Sequence, residues 1–318
     1  MQIDYLKKTI AQKIMFKITT TQNQNSLLNE VTITNKYLNI KSTIYPNLGA
    51  SLQKLTKNSI EIIDGITNDE KGLELYKNKF NSSFLFPSPN RIDDGKYTFN
   101  NKTYQLACNE TALNNSLHGH IFNKRFKIIK TEATEENAEI TLSYSNNGDT
   151  IGFPFAYKID ITYTYTKNNL AISFNVVNNS NEEFPFGLGW HPYFKSTNLS
   201  KSILNFDGTK KYNLNEKMIP QNEIQIPFKT PLTIEDTFLD DCFLIEKNQT
   251  IFKTPDYEIT LDFACTSNEN YLQCYTPNTR DCIAIEPMTC APNSFNNKRG
   301  LLTLIPKESF DWQINLKF

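Results

Sequence analysis

One-by-one alternation of apolar and polar residues is the feature that most constrains how this chain can fold. Across Lys158–Thr166, Ile159, Ile161, Tyr163 and Tyr165 alternate with Lys158, Asp160, Thr162 and Thr164. Across Leu170–Val176 the apolar set is Leu170, Ile172, Phe174 and Val176. Successive side chains of a strand point to opposite faces, so this period marks strands with one buried side. Lys167-Asn168-Asn169 separates the two runs, which read as a hairpin. Ala138–Tyr144 repeats the pattern, as do Trp312, Ile314, Leu316 and Phe318 at the C-terminus. Tyr97–Tyr104 reads as a tight hairpin turning at Asn100-Asn101, residues that tolerate positive φ. No stretch keeps apolar residues at helical spacing for three turns. Short helical turns are expected near Asp69–Leu75 and Asn293–Gly300. Many strands joined by polar turns predict an all-β fold, a large antiparallel β-sandwich.

Composition sets the scale of that sandwich. Of 318 residues, 39% are hydrophobic, enough for a sizeable core, and 22 Phe and 15 Tyr suit pleated, half-buried surfaces. No repeat, Pro-rich linker or break in composition divides the chain. Residues 16–318 are therefore expected to form a single domain, with residues 1–15 as a loose N-terminal extension. The net charge of -1 and the lack of a basic stripe argue against a nucleic-acid partner. No apolar run is long enough for a bilayer, and the first twenty residues lack the apolar core of a signal peptide. A cytoplasmic location without membrane association is the expectation. Cys108, Cys242, Cys265, Cys274, Cys282 and Cys290 lack metal-type spacing and are too sparse for a disulfide scaffold. They read as reduced, mostly buried thiols.

Chemistry is expected at a few polar residues. The chain has only three histidines, and His is the side chain best suited to exchange protons near neutral pH. His118 and His120 sit in the turn-rich string Asn114-Asn115-Ser116-Leu117-His118-Gly119-His120. His191 sits in Gly189-Trp190-His191-Pro192-Tyr193-Phe194, which fits a strand end opening into a cleft. Glu286 ends the apolar run Cys282-Ile283-Ala284-Ile285. A carboxylate there is costly unless paired or functional, and burial would raise its pKa toward a range useful for a base. Arg91 follows the rigid Ser88-Pro89-Asn90, and Asp240-Asp241 lie among apolar neighbours. Each also has a plainer reading: a core or surface histidine, an exposed strand-end Glu, a surface Arg, a simple turn. The three histidines with Glu286 are formally a zinc ligand set, but H-x-H alone is a weak signal. Neither metal nor cofactor is expected.

Together these strings resemble one family, the aldose 1-epimerases of galactose mutarotase-like type. Asn90-Arg91-Ile92 with Gly95-Lys96-Tyr97-Thr98-Phe99 resembles the family's N-R-I segment and hairpin. Leu117-His118-Gly119 is similar to its L-H-G-G signature, and Trp190-His191-Pro192-Tyr193-Phe194 to its second histidine motif. Leu239-Asp240-Asp241-Cys242-Phe243 resembles its D-H-x-F segment, and Ile285-Glu286-Pro287 the strand with its catalytic glutamate. The strings come in the family's order. The resemblance implies a β-supersandwich with Glu286 as general base and His191 as general acid. His118 and Arg91 would hold substrate near the ring oxygen, and Asn90 belongs to the same substrate-binding string. Asp240 would accept sugar hydroxyls. Apart from the resemblance, aromatics such as Trp190 and Tyr193 are candidates to pack on the apolar face of a sugar ring, a pattern equally consistent with ordinary core packing. The pattern departs at His120, where the second Gly is replaced, at Asp241, where His is common, and around His191.

The implied activity is exchange of the α and β anomers of a free hexose. It needs one group to take the C1 hydroxyl proton and another to protonate the ring oxygen, which a carboxylate and an imidazolium supply. A hexose-6-phosphate 1-epimerase is the alternative enzyme and would need a cationic pocket, with Lys124-Arg125 or Lys298-Arg299 as candidates. A non-catalytic sugar-binding protein on the same fold is the alternative from another class. The sequence fixes neither the sugar nor the oligomeric state.

Overall fold

The computed structural model describes residues 15–264 and 269–318. The expected extension and Cys265 lie wholly or mainly outside the described residues. Among the described residues the largest sheets have nine, eight and five strands. The alternating runs build the nine-stranded sheet. Ala156–Tyr165 and Asn169–Asn178 pair antiparallel, with Ile161 opposite Phe174 and Tyr163 opposite Ile172. Ser309–Lys317 pairs on the far side, with Trp312 opposite Phe174 and Ile314 opposite Ile172. These cross-strand apolar pairs stand on one buried face, where such neighbours stabilise a sheet.

The eight-stranded sheet runs from Pro220–Gln225 through Lys210–Leu214, Asp240–Ile245, Asn270–Tyr275 and Cys282–Met288 to Gly189–His191 and Ser83–Leu85. Its inner face packs on the nine-stranded sheet. Phe84 meets Tyr163 and Phe174, and Phe206 meets Phe243. Pro192 has no N–H to donate, so the strand at His191 is interrupted and resumes as Tyr193–Lys195. Both pieces pair with Cys282–Met288. The five-stranded sheet closes onto the same core through bonds from the Tyr163 hydroxyl to the Ala50 carbonyl and between Ser42 and Tyr165.

Lys96–Phe99 and Lys102–Gln105 form the tight hairpin, and Asn100 and Asn101 both adopt positive φ. The expected turn at Asp69 is a full helix, Glu70–Lys79, with Asp69 accepting a hydrogen bond from the Gly72 N–H at its N-cap. A shorter helix spans Ser294–Asn297. Asp240 and Asp241 do not make a simple turn but begin a strand. Cys108, Cys242, Cys274, Cys282 and Cys290 are free thiols, all buried except the half-buried Cys108. Among the described residues no helix is long and apolar enough to cross a membrane.

Candidate active site

Side-chain alternation on the eight-stranded sheet gives it one wet face. Along Cys282–Met288, Ile283 and Ile285 enter the core while Glu286 points the other way. Gln273 pairs with Glu286 across the ladder, and Asp240 pairs with Tyr275, so these groups share a face. His191 reaches it from the neighbouring strand. The result is a cleft of about 290 Å³ lined by Asn90, Arg91, His118, His191, Asp240 and Glu286, among others.

A two-stranded ribbon brings the other motifs to the cleft. Arg91–Asp93 pairs with Asn115–Leu117, placing Leu117 opposite Arg91. At its end the His118 N–H donates to the Asn90 carbonyl over 2.9 Å. Asn90 and His118 both adopt left-handed φ, +58° and +63°. The chain turns sharply there, presenting both side chains to the cleft. Gly119 follows with φ of +68°, and a Cβ on it would lie 2.2 Å from the Phe86 carbonyl oxygen. Only glycine fits this close approach. The two sequence motifs around Asn90 and His118 are therefore one structural unit.

The centre of the site is the contact of His191 Nε2 with Glu286 Oε1 at 3.4 Å. Both side chains are almost fully buried. Glu286 Oε2, His191 Nδ1 and His118 Nδ1 are buried with no hydrogen-bond partner in the protein. Burial pushes the Glu286 carboxyl well above its ordinary range; nearby Asp240 adds to this and Arg91 opposes it. Burial drives His191 down to about 4. Burial, followed by the fields of His191 and Arg91, also lowers His118 well below the usual imidazole value. The rings of His118 and His191 meet edge to face at 5.1 Å.

Around this pair lies a hydrogen-bonded ring of polar groups. Gln273 donates to Asp240 Oδ1 at 3.0 Å and accepts from Asn90 at 3.3 Å. Burial raises the Asp240 pKa against the pull of Arg91. Arg91 is clamped by Glu110, which accepts from Nε at 2.9 Å and from Nη2 at 2.8 Å. Burial favours the protonated form of Glu110, but bonds from Arg91 and Asn115 outweigh it and hold this carboxyl below its usual value.

Trp190 is a correction. Its side chain is fully buried in the core beside Phe84 and Phe194 and does not line the cleft. Adjacent strand residues face opposite ways, so Trp190 must enter the core if His191 enters the cleft. Tyr193, two residues beyond His191, does line it. Asp241 also turns away from the cleft and pairs with Lys211 at 2.6 Å. His120 meets the Tyr157 hydroxyl at 2.9 Å and lies outside the cleft lining. The three histidines do not converge, and among the described residues no cluster of three or more His, Cys, Asp or Glu is placed to hold a metal. Sequence reasoning missed Glu110, Gln273 and Tyr275. The last two carry a readable signal, since they alternate on one strand that pairs with the strand of Glu286. Glu110 lies in a loop with no such mark.

Known proteins resemble this chain in sequence and in fold. The aldose 1-epimerase family model matches residues 30–317. The chain belongs to the aldose 1-epimerase family. It is 26% identical to protein YihR of Escherichia coli K12 over 69% of this chain and 73% of that protein. Over 60% of this chain and 62% of the relative, it is 26% identical to a maltose epimerase of Levilactobacillus brevis. Among solved structures, a galactose mutarotase-like protein of Clostridium acetobutylicum superposes with a TM-score of 0.80 at 20% identity, covering 95% of this chain and 97% of that one. Galactose 1-epimerase of Lactobacillus acidophilus gives 0.75 at 18% identity, with 95% and 98% covered. The fold of this aldose 1-epimerase family member is thus the galactose mutarotase-like β-sandwich.

Proposed function

We propose that this family member interconverts the α and β anomers of a free hexose unit, with Glu286 and His191 as the proton-transfer pair. The carrying observation is the buried Glu286–His191 contact inside a cleft ringed by hydroxyl-binding groups. In ring opening, the Glu286 carboxylate takes the proton from O1. The C1–O5 bond breaks, its electrons pass to O5, and O5 takes a proton from the His191 imidazolium. The open-chain aldehyde rotates about C1–C2. O5 then attacks the other face of C1, returning its proton to His191 while O1 recovers one from Glu286. Nothing is consumed, and the pair ends as it began.

Burial supports one proton shared by this pair. Burial pushes both groups toward their uncharged forms, carboxylic acid and imidazole. Shifting that proton across the contact gives the carboxylate and imidazolium the reaction uses. A sugar stabilises the shifted form by donating O1–H to the carboxylate and accepting at O5 from the imidazolium. The positive Arg91 favours the same carboxylate. Asn90, Asp240 and Gln273 offer both donors and acceptors to the remaining hydroxyls, as carbohydrate binding requires.

The two basic pairs expected to hold a phosphate lie away from the cleft, which favours a free sugar, although Lys79 lines the cleft and places one ammonium there. Arg299 is held by Glu223 and Glu269, and Lys298 by the Phe295 carbonyl. Arg125 bonds Ser26, and Lys124 lines a separate cavity. The test is polarimetry or NMR exchange on freshly dissolved α-glucose, α-galactose and glucose 6-phosphate, with Glu286→Gln as control. Acceleration of a free hexose that vanishes in the variant is expected. Binding without acceleration would instead identify a sugar-binding protein.

A further inference from the structure

Arg91 faces the cleft with only part of its guanidinium. Glu110 accepts from Nε at 2.9 Å and from Nη2 at 2.8 Å, so its carboxylate fills the fork between these two nitrogens. In that fork a guanidinium binds a carboxylate or phosphate through two parallel hydrogen bonds. We propose that Glu110 is a specificity-determining residue that acts as a built-in anion: by filling the Arg91 fork, it makes the cleft select neutral sugars over sugars with an anionic group at C6. This rests on the anomer-exchange reading and names the residue that sets its substrate class.

Glu110 is anchored well enough to exclude a competing anion. Its backbone N–H donates to the Asn115 carbonyl at 3.1 Å, and the Asn115 N–H donates back to the Glu110 carbonyl at 3.2 Å. Asn115 Nδ2 donates to Glu110 Oε2 and to the Lys217 carbonyl, both at 2.9 Å. The strand Asn115–Leu117 also pairs with Arg91–Asp93, so one short strand fixes both partners of the ion pair. Their side chains are only 14% and 16% exposed, which limits screening by salt. An anionic substituent would have to displace a carboxylate already in place, and would lose its own freedom in doing so.

The charges around the cleft point the same way. Its lining carries two cations, Lys79 and Arg91, and three carboxylates, Glu110, Asp240 and Glu286. Burial pushes Glu286 and Asp240 toward their neutral forms. Glu110 differs, because its bonds to Arg91 and Asn115 hold it ionised. Without it the lining would be cationic and the Arg91 fork open. Lys79 would remain a point charge with no fork to offer. C6 is carried on the ring carbon bonded to O5. In a cleft of about 290 Å³, a charge at C6 of a bound hexose stays within a Debye length of the Glu110–Arg91 pair.

The experiment compares glucose and galactose with glucuronate and galacturonate, which differ from them by a carboxylate at C6. Calorimetric titration reads binding, and NMR exchange reads anomer turnover. The wild-type protein should bind its preferred hexose at least about tenfold tighter than the matching uronate. Glu110→Gln keeps the size and removes the charge. It should shift the ratio of uronate to hexose affinity about tenfold toward the uronate, a gain that fades as salt rises. Adding Arg91→Lys to that variant should remove most of the gain, because an ammonium has no fork. Glu110→Asp keeps the charge and should still disfavour the uronate. Wild-type protein that binds the uronate as tightly as the hexose overturns the proposal, whatever the variants do. So does a Glu110→Gln variant that weakens both sugars equally, the result of a purely structural role. Discrimination that depends on Glu110, with no exchange of any anomer, would overturn the catalytic reading and leave the role of Glu110 standing. Binding of none of the four sugars by the wild type would overturn both.

Discussion

At the scale of single residues, the proposed chemistry and stability pull against each other at Glu286. Its carboxyl is buried, with one oxygen lacking a partner, so ionising it costs folding energy. Its folded pKa lies above its unfolded value. The stability tied to it is full below the usual glutamate range and is lost as pH rises through the folded value. Glu286→Gln should therefore raise the melting temperature at pH 8 relative to wild type while cutting turnover by about 100- to 10,000-fold. Thermal melts across pH paired with exchange kinetics read both effects. His191 has the opposite sign: its pKa falls from 6.5 to about 4 on folding. The unfolded chain binds the extra proton between those values, so stability is present above 6.5 and lost as pH falls toward 4. That window is worth about 3 kcal/mol, and His191→Asn should flatten it in acid melts while lowering turnover. Asp240→Asn should chiefly raise KM, because the proposed mechanism assigns Asp240 to the sugar hydroxyls and leaves proton transfer to Glu286 and His191.

At the scale of elements, legibility followed periodicity. The Ala156–Tyr165 and Asn169–Asn178 strands were readable because one face is apolar at every second position. The same rule, applied one residue further, would have placed Trp190 correctly: it adjoins His191 and must face the other way. Helix Glu70–Lys79 was read too short. Its buried positions are few, Gly72, Leu73 and Tyr76, and much of its definition comes from Asp69 at one end and Phe80 at the other. Asp69→Ala should cost about 1 kcal/mol in chemical denaturation, the usual worth of an N-cap. The loop bearing His118 is secured behind the cleft by the His120–Tyr157 bond. Tyr157→Phe removes the partner of a half-buried imidazole nitrogen and should cost about 1 kcal/mol. Exchange by this variant should slow only as far as His118 shifts.

At the scale of the whole molecule, the family strings identified the cleft because each motif carries its own polar residue. A second cavity of about 680 Å³ beside it left no such trace. Its walls come from a turn at Asn25, the helix after Asp69 and the loops around Asn109 and Phe122, none of which forms a pattern in sequence. Proximity in space was the missing information. The reading of residues 16–318 as one domain predicts a single unfolding transition, coincident by fluorescence and circular dichroism. Two separate midpoints would overturn it. Proton exchange between a carboxyl and an imidazole requires no Lewis acid, so activity should survive exhaustive chelation. Loss that zinc restores would reopen a metal role for the histidines. The Cys282–Met288 strand has a further consequence for how this chain can change in length. Ile285 belongs to the core and Glu286 to the cleft, one residue apart. Inserting or deleting one residue upstream in that strand would exchange their faces, seating a carboxylate among hydrocarbon and an isoleucine in the polar cleft. Insertions and deletions that keep these two faces are confined to the turns at its ends.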